Sequence, residues 1–246
     1  MRTYGQYCPI ARAAEIVAER WTPLIVRNIH AGCGTYSEIL AGAPGLSHTL
    51  LTQRLRYLTK VGIISVHPKA SGPGSRYALT DAGRDLWPVL SALGAWGEQW
   101  VELRDEHTNP RFLLWTWSTT YLAHTKLPDR RVVVRFELAD RPPEERRIWL
   151  VVNPTGAEVC TTPPGFDDDV TVETSTMTLT RWHTRQIEWT DAIRSGKLRV
   201  TGPRALARAV PTWNLRSPSL GPDRQDRSRK EPSQPSRPPV APRQTA

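Results

Sequence analysis

Along residues 47–61, SHTLLTQRLRYLTKV, the apolar positions recur at helical spacing. Leu51, Leu55 and Leu58 stand at i, i+4 and i+7 and share one face. At about 100° per residue, Thr49, Gln53, Arg56 and Lys60 fall on the opposite face, with Thr52 beside them. That face holds hydroxyls, an amide and cations, and no acid. Ser47 suits the N-cap and Gly62 the C′ position that ends the helix.

The same reading extends to both sides. Pro9 opens a first helix, with Ile10, Ala13, Ala14 and Val17 on its apolar side. A second starts at Thr22-Pro23 and stops at Gly32 and Gly34. A short third covers 36–41, and Gly42-Ala43-Pro44-Gly45 separates it from the helix of 47–61. Helix, short turn, helix is the helix-turn-helix pattern. After Gly62 the period changes: 63–67 and 76–79 read as short strands flanking the loop PKASGPGS, which makes a wing. Thr80-Asp81 then caps a long helix. Its stripe of Leu86, Leu90, Leu93, Trp96, Trp100 and Leu103 suits burial either on its own domain or against the same element of a second chain.

Residues 107–125 read as a linking segment with a helix. Beyond it, 131–138, 147–153, 157–160 and 169–175 are strand-like runs separated by Pro, Gly and Asp, and helical stretches follow near 179–186 and 203–210. Strands first and helices after predict an α+β domain with one antiparallel sheet. The expected organisation is 1–106 winged helix, 107–125 linking helix, 126–214 second domain, and 215–246 a Pro/Ser/Arg-rich tail too poor in aliphatics to offset its chain entropy, hence disordered.

Charge adds a partner class. The 246 residues carry a formal +9 with a pI near 9.9, which suits a polyanion, but 216–246 holds seven Lys/Arg against three Asp/Glu and so supplies +4 of the excess. The three cysteines, Cys8, Cys33 and Cys160, show no paired spacing and fit a reducing cytosol. No apolar run reaches the 18 or so residues of a membrane span, and no secretory leader is evident, so a cytoplasmic protein without a membrane partner is expected.

The order of residues carries a resemblance. Cys8-Pro9, ERWTPLIVR at 19–27, YSEI at 36–39, GLSHTLLTQRLRYL at 45–58, VGII at 61–64 and YALTDAGRDL at 77–86 resemble the HxlR family of bacterial winged-helix regulators. The resemblance implies a homodimer built on the first and last helices of this region, with Ile10, Val17, Leu86, Leu90, Leu93, Trp96 and Trp100 as interface residues, and binding to a two-fold DNA operator. Residues 126–214 resemble the sterol-carrier-protein-like domains found behind some actinobacterial HxlR-type regulators. The carrying residues are LPDRRVVVRFEL, PPGFDDDV and DAIRSGKLRVTG, and the resemblance implies a domain of lipid-binding type.

In helix-turn-helix docking the first residues of the second helix reach base edges. That selects His48, Thr49, Thr52 and Gln53, with Arg56 reaching a base or a phosphate, Lys60 a phosphate or solvent, and Arg76 of the wing a phosphate. Cys8 stands where relatives carry a cysteine near the dimer interface that in some senses oxidants or electrophiles; the alternative is a structural thiol. Asp167-Asp168-Asp169 reads as a solvated loop, and Trp149, Trp182, Trp189 and Trp213 as core. The sequence carries no metal-ligand spacing, no catalytic motif and no cofactor fingerprint, so neither an enzyme nor a cofactor is expected. Two functions remain open. One is a DNA-binding regulator whose second domain senses an apolar small molecule. The other is a small-molecule or lipid carrier that uses the winged helix as an interaction module.

Overall fold

Proline and capping residues set the helix starts of the N-terminal half in the computed structural model, which describes residues 3–69 and 72–217. Helices α1 (Pro9–Val17) and α2 (Thr22–His30) both carry proline in the first turn. Thr35 caps α3 (Tyr36–Ala41), and Ser47 caps α4 (His48–Lys60) by accepting from the Leu50 amide at 3.3 Å, as the sequence predicts. Gly62 follows α4 with φ of 76°, a left-handed turn that a side chain would strain. Strands β1 (Ile64–Pro68) and β2 (Ser75–Leu79) pair antiparallel from Ile64↔Leu79 to Pro68↔Ser75 and form the wing. Helix α5 (Asp81–Trp100) follows, and the chain divides within it, between Gly94 and Ala95, into two compact units.

The core of the first unit is aliphatic. Ile25, Val26, Ile39, Leu51, Leu55, Leu58 and Ile64 are buried. The start of α5 seats closely on the strand entry: a Cβ on Gly83 would lie 2.2 Å from the Ile63 carbonyl oxygen. The Thr80 hydroxyl donates to the Gly62 carbonyl at 2.6 Å and accepts from the Gly83 amide at 3.1 Å.

The second unit begins its core with α6 (Pro110–Thr119), which was expected only to link two domains. Leu113, Leu114 and Trp117 of α6 are buried with the sheet residues, so this helix belongs to the fold that follows it. Strands β3 (Val132–Leu138), β4 (Arg147–Asn153), β5 (Gly156–Cys160), β6 (Val170–Thr174) and β7 (Leu198–Thr201) form one sheet in the order β5-β4-β3-β6-β7. Helices α7 (Thr176–His183), α8 (Trp189–Arg194) and α9 (Arg204–Ala209) complete the unit.

The α+β class holds, but the sheet is mixed rather than antiparallel. β3 and β6 run parallel, with Val134↔Val170 and Phe136↔Val172. The cause is the path of 161–169: it recrosses the sheet without pairing as a strand, so β6 enters beside β3 from the same end. The acid run expected as a solvated loop pins this crossing. Asp168 accepts from the Trp149 indole at 2.9 Å and from Arg135 at 2.8 Å; Asp169 accepts from Arg130 at 2.9 Å and from the Val133 amide at 2.8 Å.

One face of the sheet, Val132, Val134, Phe136, Leu138, Ile148, Leu150 and Val152 with their neighbours, packs against α6, α7 and α8. Trp182 sits among them, with ring centroids 5.2 Å from Trp117 and 4.7 Å from Trp189. Trp149, Trp182, Trp189 and Trp213 are all buried. Residues 215–217, assigned by sequence to the tail, are tied down instead. Arg216 donates to the Trp182 and Ile187 carbonyls and to Glu188, while Arg185 donates to the Leu215 and Ser217 carbonyls. The rest of the tail, 218–246, lies outside the described residues.

Two stability predictions follow from these contacts. Gly83→Ala drives a methyl group into the Ile63 carbonyl and should cost about 1–3 kcal/mol, read as a lower urea midpoint. His183 is buried, its Nδ1 3.1 Å from the Asn214 amide nitrogen, and burial pushes its pKa down from 6.5 to about 4. The unfolded chain therefore takes up this proton first as pH falls. The stabilisation is complete above about pH 6.5 and drains away towards pH 4, by about 3 kcal/mol. Urea melts across this range should show the loss in the native protein and a flatter profile in His183→Gln.

Candidate nucleic-acid interface

Burial of Leu51, Leu55 and Leu58 fixes the roll of α4, so the opposite face must look outward. Thr49, Gln53, Arg56 and Lys60 are all exposed on it. At 1.5 Å per residue they span about 16 Å of helix. Among the described residues none of these four side chains has a hydrogen-bond or ion-pair partner. Arg54, on the flank of the same helix, is different: it pairs with Glu19 and belongs to the scaffold.

The two other residues predicted on this helix are partly committed. The His48 ring stacks on Tyr36 at 5.8 Å, and the Tyr36 hydroxyl donates to the His48 carbonyl at 2.8 Å. Thr52 is half-buried, and its hydroxyl donates to the same carbonyl at 3.0 Å. Tyr36 thus braces the first turn of α4 from the start of α3. Sequence reading treated it only as part of a family pattern; an aromatic residue directly after the Thr35 cap was the available signal.

The angle between α3 and α4 is held by polar pins. The buried Asn28 side chain donates to the Ile39 carbonyl at 3.0 Å, tying α2 to α3. Arg27 donates to the Asn28 side-chain oxygen at 2.9 Å and to the Gly42 carbonyl at 2.7 Å, which fixes the turn before α4. Glu38 closes a capping box: its carboxylate accepts from the Gly34 and Thr35 amides, each at 2.9 Å. Burial works to raise the Glu38 pKa, but these hydrogen bonds and the nearby Arg76 charge outweigh it and hold the carboxyl below its usual value.

Arg76 is exposed on β2, where the sequence put a phosphate contact, but its side chain lies against Gly34 at the entry to α3; a Cβ there would come within 2.7 Å of the guanidinium carbon. Lys69, exposed where β1 runs into the wing loop, is a second cation on this element that sequence reasoning did not select.

The expected interface stripe divides. Ile10 of α1 is 79% exposed, and Leu93, Trp96 and Trp100 of α5 are 53%, 49% and 54% exposed, with Val89 beside them. Val17 and Leu86 are half-buried. Leu90 is only 9% exposed, so it serves its own unit's core rather than the open stripe. Trp87 also turns inward, stacking on His30 at 3.9 Å.

Cys8 precedes α1 and is half-buried. Cys33, between α2 and α3, is buried; that burial pushes its thiol pKa up to about 11 and leaves it a poor nucleophile. Burial also raises the Cys160 thiol. No group of acids, histidines and cysteines among the described residues could hold a metal ion, and no helix there is long and apolar enough to cross a membrane.

Residues 16–105 match the HxlR-like helix-turn-helix family. An HTH-type transcriptional regulator of Mycobacterium bovis is 36% identical over 117 residues, covering 42% of this chain and 73% of that one. YvaP of Bacillus subtilis, also named as an HTH-type transcriptional regulator, is 33% identical over 100 residues, covering 40% of this chain and 93% of its own. The chain belongs to the HxlR-like family. Among solved structures, the redox regulator HypR in its oxidised form is 25% identical, covering 39% of this chain and all of its own with a TM-score of 0.37. All three likenesses leave more than half of this HxlR-like chain uncovered.

Asn28 tests how α3 is held on α2. Asn28→Ala strips the Ile39 carbonyl and Arg27 of a partner and should destabilise the first unit by about 1–3 kcal/mol in a urea melt.

Proposed function

We propose that this HxlR-like protein is a sequence-specific DNA-binding transcriptional regulator that acts as a homodimer. The carrying observation is the free face of α4: Thr49, Gln53, Arg56 and Lys60, exposed, unpartnered among the described residues and without an acid. An amide can bond adenine at two points and a guanidinium guanine, while a lysine farther along the helix meets phosphate. His48 and Thr52 belong to the same reading face at its first turn, and Arg76 of the wing supplies a flanking phosphate contact. The family membership and the names of the relatives point the same way.

Exposed apolar surface that a lone chain gains nothing by displaying supports the dimer in this reading. Ile10, Leu93, Trp96 and Trp100 form the seam in this reading, with Val17 and Leu86 at its margin. Cys8, before α1 and so beside that seam, is the candidate redox-responsive thiol.

Residues 126–214 form the sensing domain in this proposal, of sterol-carrier-like type. A five-stranded sheet with helices on one face supports that reading. A ligand that binds the DNA-competent and incompetent dimers unequally would shift operator occupancy.

Mobility shifts on a specific duplex, run across a salt series, test the DNA claim. Native protein should bind with a steep salt slope. Gln53→Ala should cost about 1–3 kcal/mol at one base-pair position and relax specificity there; Lys60→Ala should weaken binding evenly across sequences and reduce the salt slope by about one. Salt-insensitive, sequence-blind behaviour would favour the carrier reading instead.

A further inference from the structure

The second unit has a half-open cleft of about 400 Å³ between the end of α8, strand β7 and helix α9. Its apolar wall includes Ile193, Val200 and Ala207; its cationic wall is Arg199, Arg204 and Arg208. Among the described residues no acid lines it. Arg199 has one exposed partner, Glu173 at 3.7 Å. Arg204 and Arg208 have none among the described residues. They stand at i and i+4 on α9, so two like charges share one helix face, an arrangement that weakens an isolated helix. A local conflict of this kind, with no compensating acid, is what an anion would resolve. Ile193 is a large apolar side chain left exposed at the same cleft.

We propose that this cleft binds a compact organic acid: a carboxylate held by Arg204 and Arg208, on a short apolar body lying against Ile193, Val200 and Ala207. A planar carboxylate suits guanidinium donors geometrically, and the charge-assisted bonds are the stronger kind. The volume is near the lower end for small-molecule sites, which favours a compact ligand over a long acyl chain or a sterol. The proposal rests on the reading of this unit as a ligand-binding domain, and it changes the expected ligand from apolar to anionic.

Calorimetry with the full chain tests it, using 4-butylbenzoate, its neutral counterpart 4-butylbenzyl alcohol, and inorganic phosphate. The benzoate should bind saturably at millimolar concentration or below, and about tenfold tighter than either control. The double variant Arg204→Gln/Arg208→Gln should lose about tenfold in affinity. Its melting point should not fall, because both side chains are exposed and their mutual repulsion is removed. Ala207→Trp, which fills the cleft, should abolish binding with the arginines intact. No benzoate binding, equal binding of the alcohol, binding of phosphate alone, or indifference to both variants would overturn the proposal. Mobility shifts on the same samples keep the two readings apart. Arginine-dependent binding that leaves DNA affinity unchanged upholds the cleft and removes the sensing role. An alcohol that binds as well as the benzoate and changes DNA affinity upholds sensing and removes the anion site.

Discussion

In the N-terminal unit everything turns on α4, which must bury Leu51, Leu55 and Leu58 at once. Three leucines on one face leave a single roll of the helix that satisfies them, and each buried side chain contributes about 1.5–3 kcal/mol to keeping that roll. Thr49, Gln53, Arg56 and Lys60 are then presented outward with no hydrogen-bond or ion-pair partner among the described residues. Exposed and buried side chains occupy opposite faces of the same thirteen residues, so the exposed ones can vary with little effect on the fold.

A recognition helix also needs a fixed angle, and that comes from polar groups inside the unit. Asn28 ties α2 to the Ile39 carbonyl of α3, the Glu38 capping box satisfies the amides at the entry to α3, and Arg27 satisfies the Gly42 carbonyl in the turn before α4. Tyr36 then braces the first turn of α4. The wing is joined to the same frame, since the Tyr77 amide of β2 donates to the Gly34 carbonyl at 2.6 Å.

Local pattern made much of this legible in the sequence. The period of α4, the Ser47 cap, the stop at Gly62 and the two wing strands are all set by residues near in the chain, and they stand where the pattern puts them. What escaped was set by distant partners. Periodicity put Leu90 and Leu93 on one stripe, yet Leu90 is buried and Leu93 open, because packing on the unit's own core decides between neighbours on a helix face. The parallel pairing of β6 with β3 depends on the route of 161–169 and on Asp168 and Asp169 gripping residues some 20 to 40 positions away. Helix α6 read as a linker because nothing in its sequence reveals that a sheet built later will receive Leu113, Leu114 and Trp117. The arginines of the cleft were scattered basic residues until β7 and α9 brought Arg199, Arg204 and Arg208 to one wall.

The two units leave different surfaces open: a cationic, hydroxyl-rich helix face in one, a basic cleft in the other. Selection of bound duplexes from a random-sequence library tests whether the helix face of the first unit reads DNA. A homodimer that reads DNA with α4 should enrich a two-fold symmetric motif whose half-sites lie about 10–10.5 base pairs apart, or a multiple of that. Recovery of unenriched sequence, or of a single half-site without a symmetric mate, would contradict it.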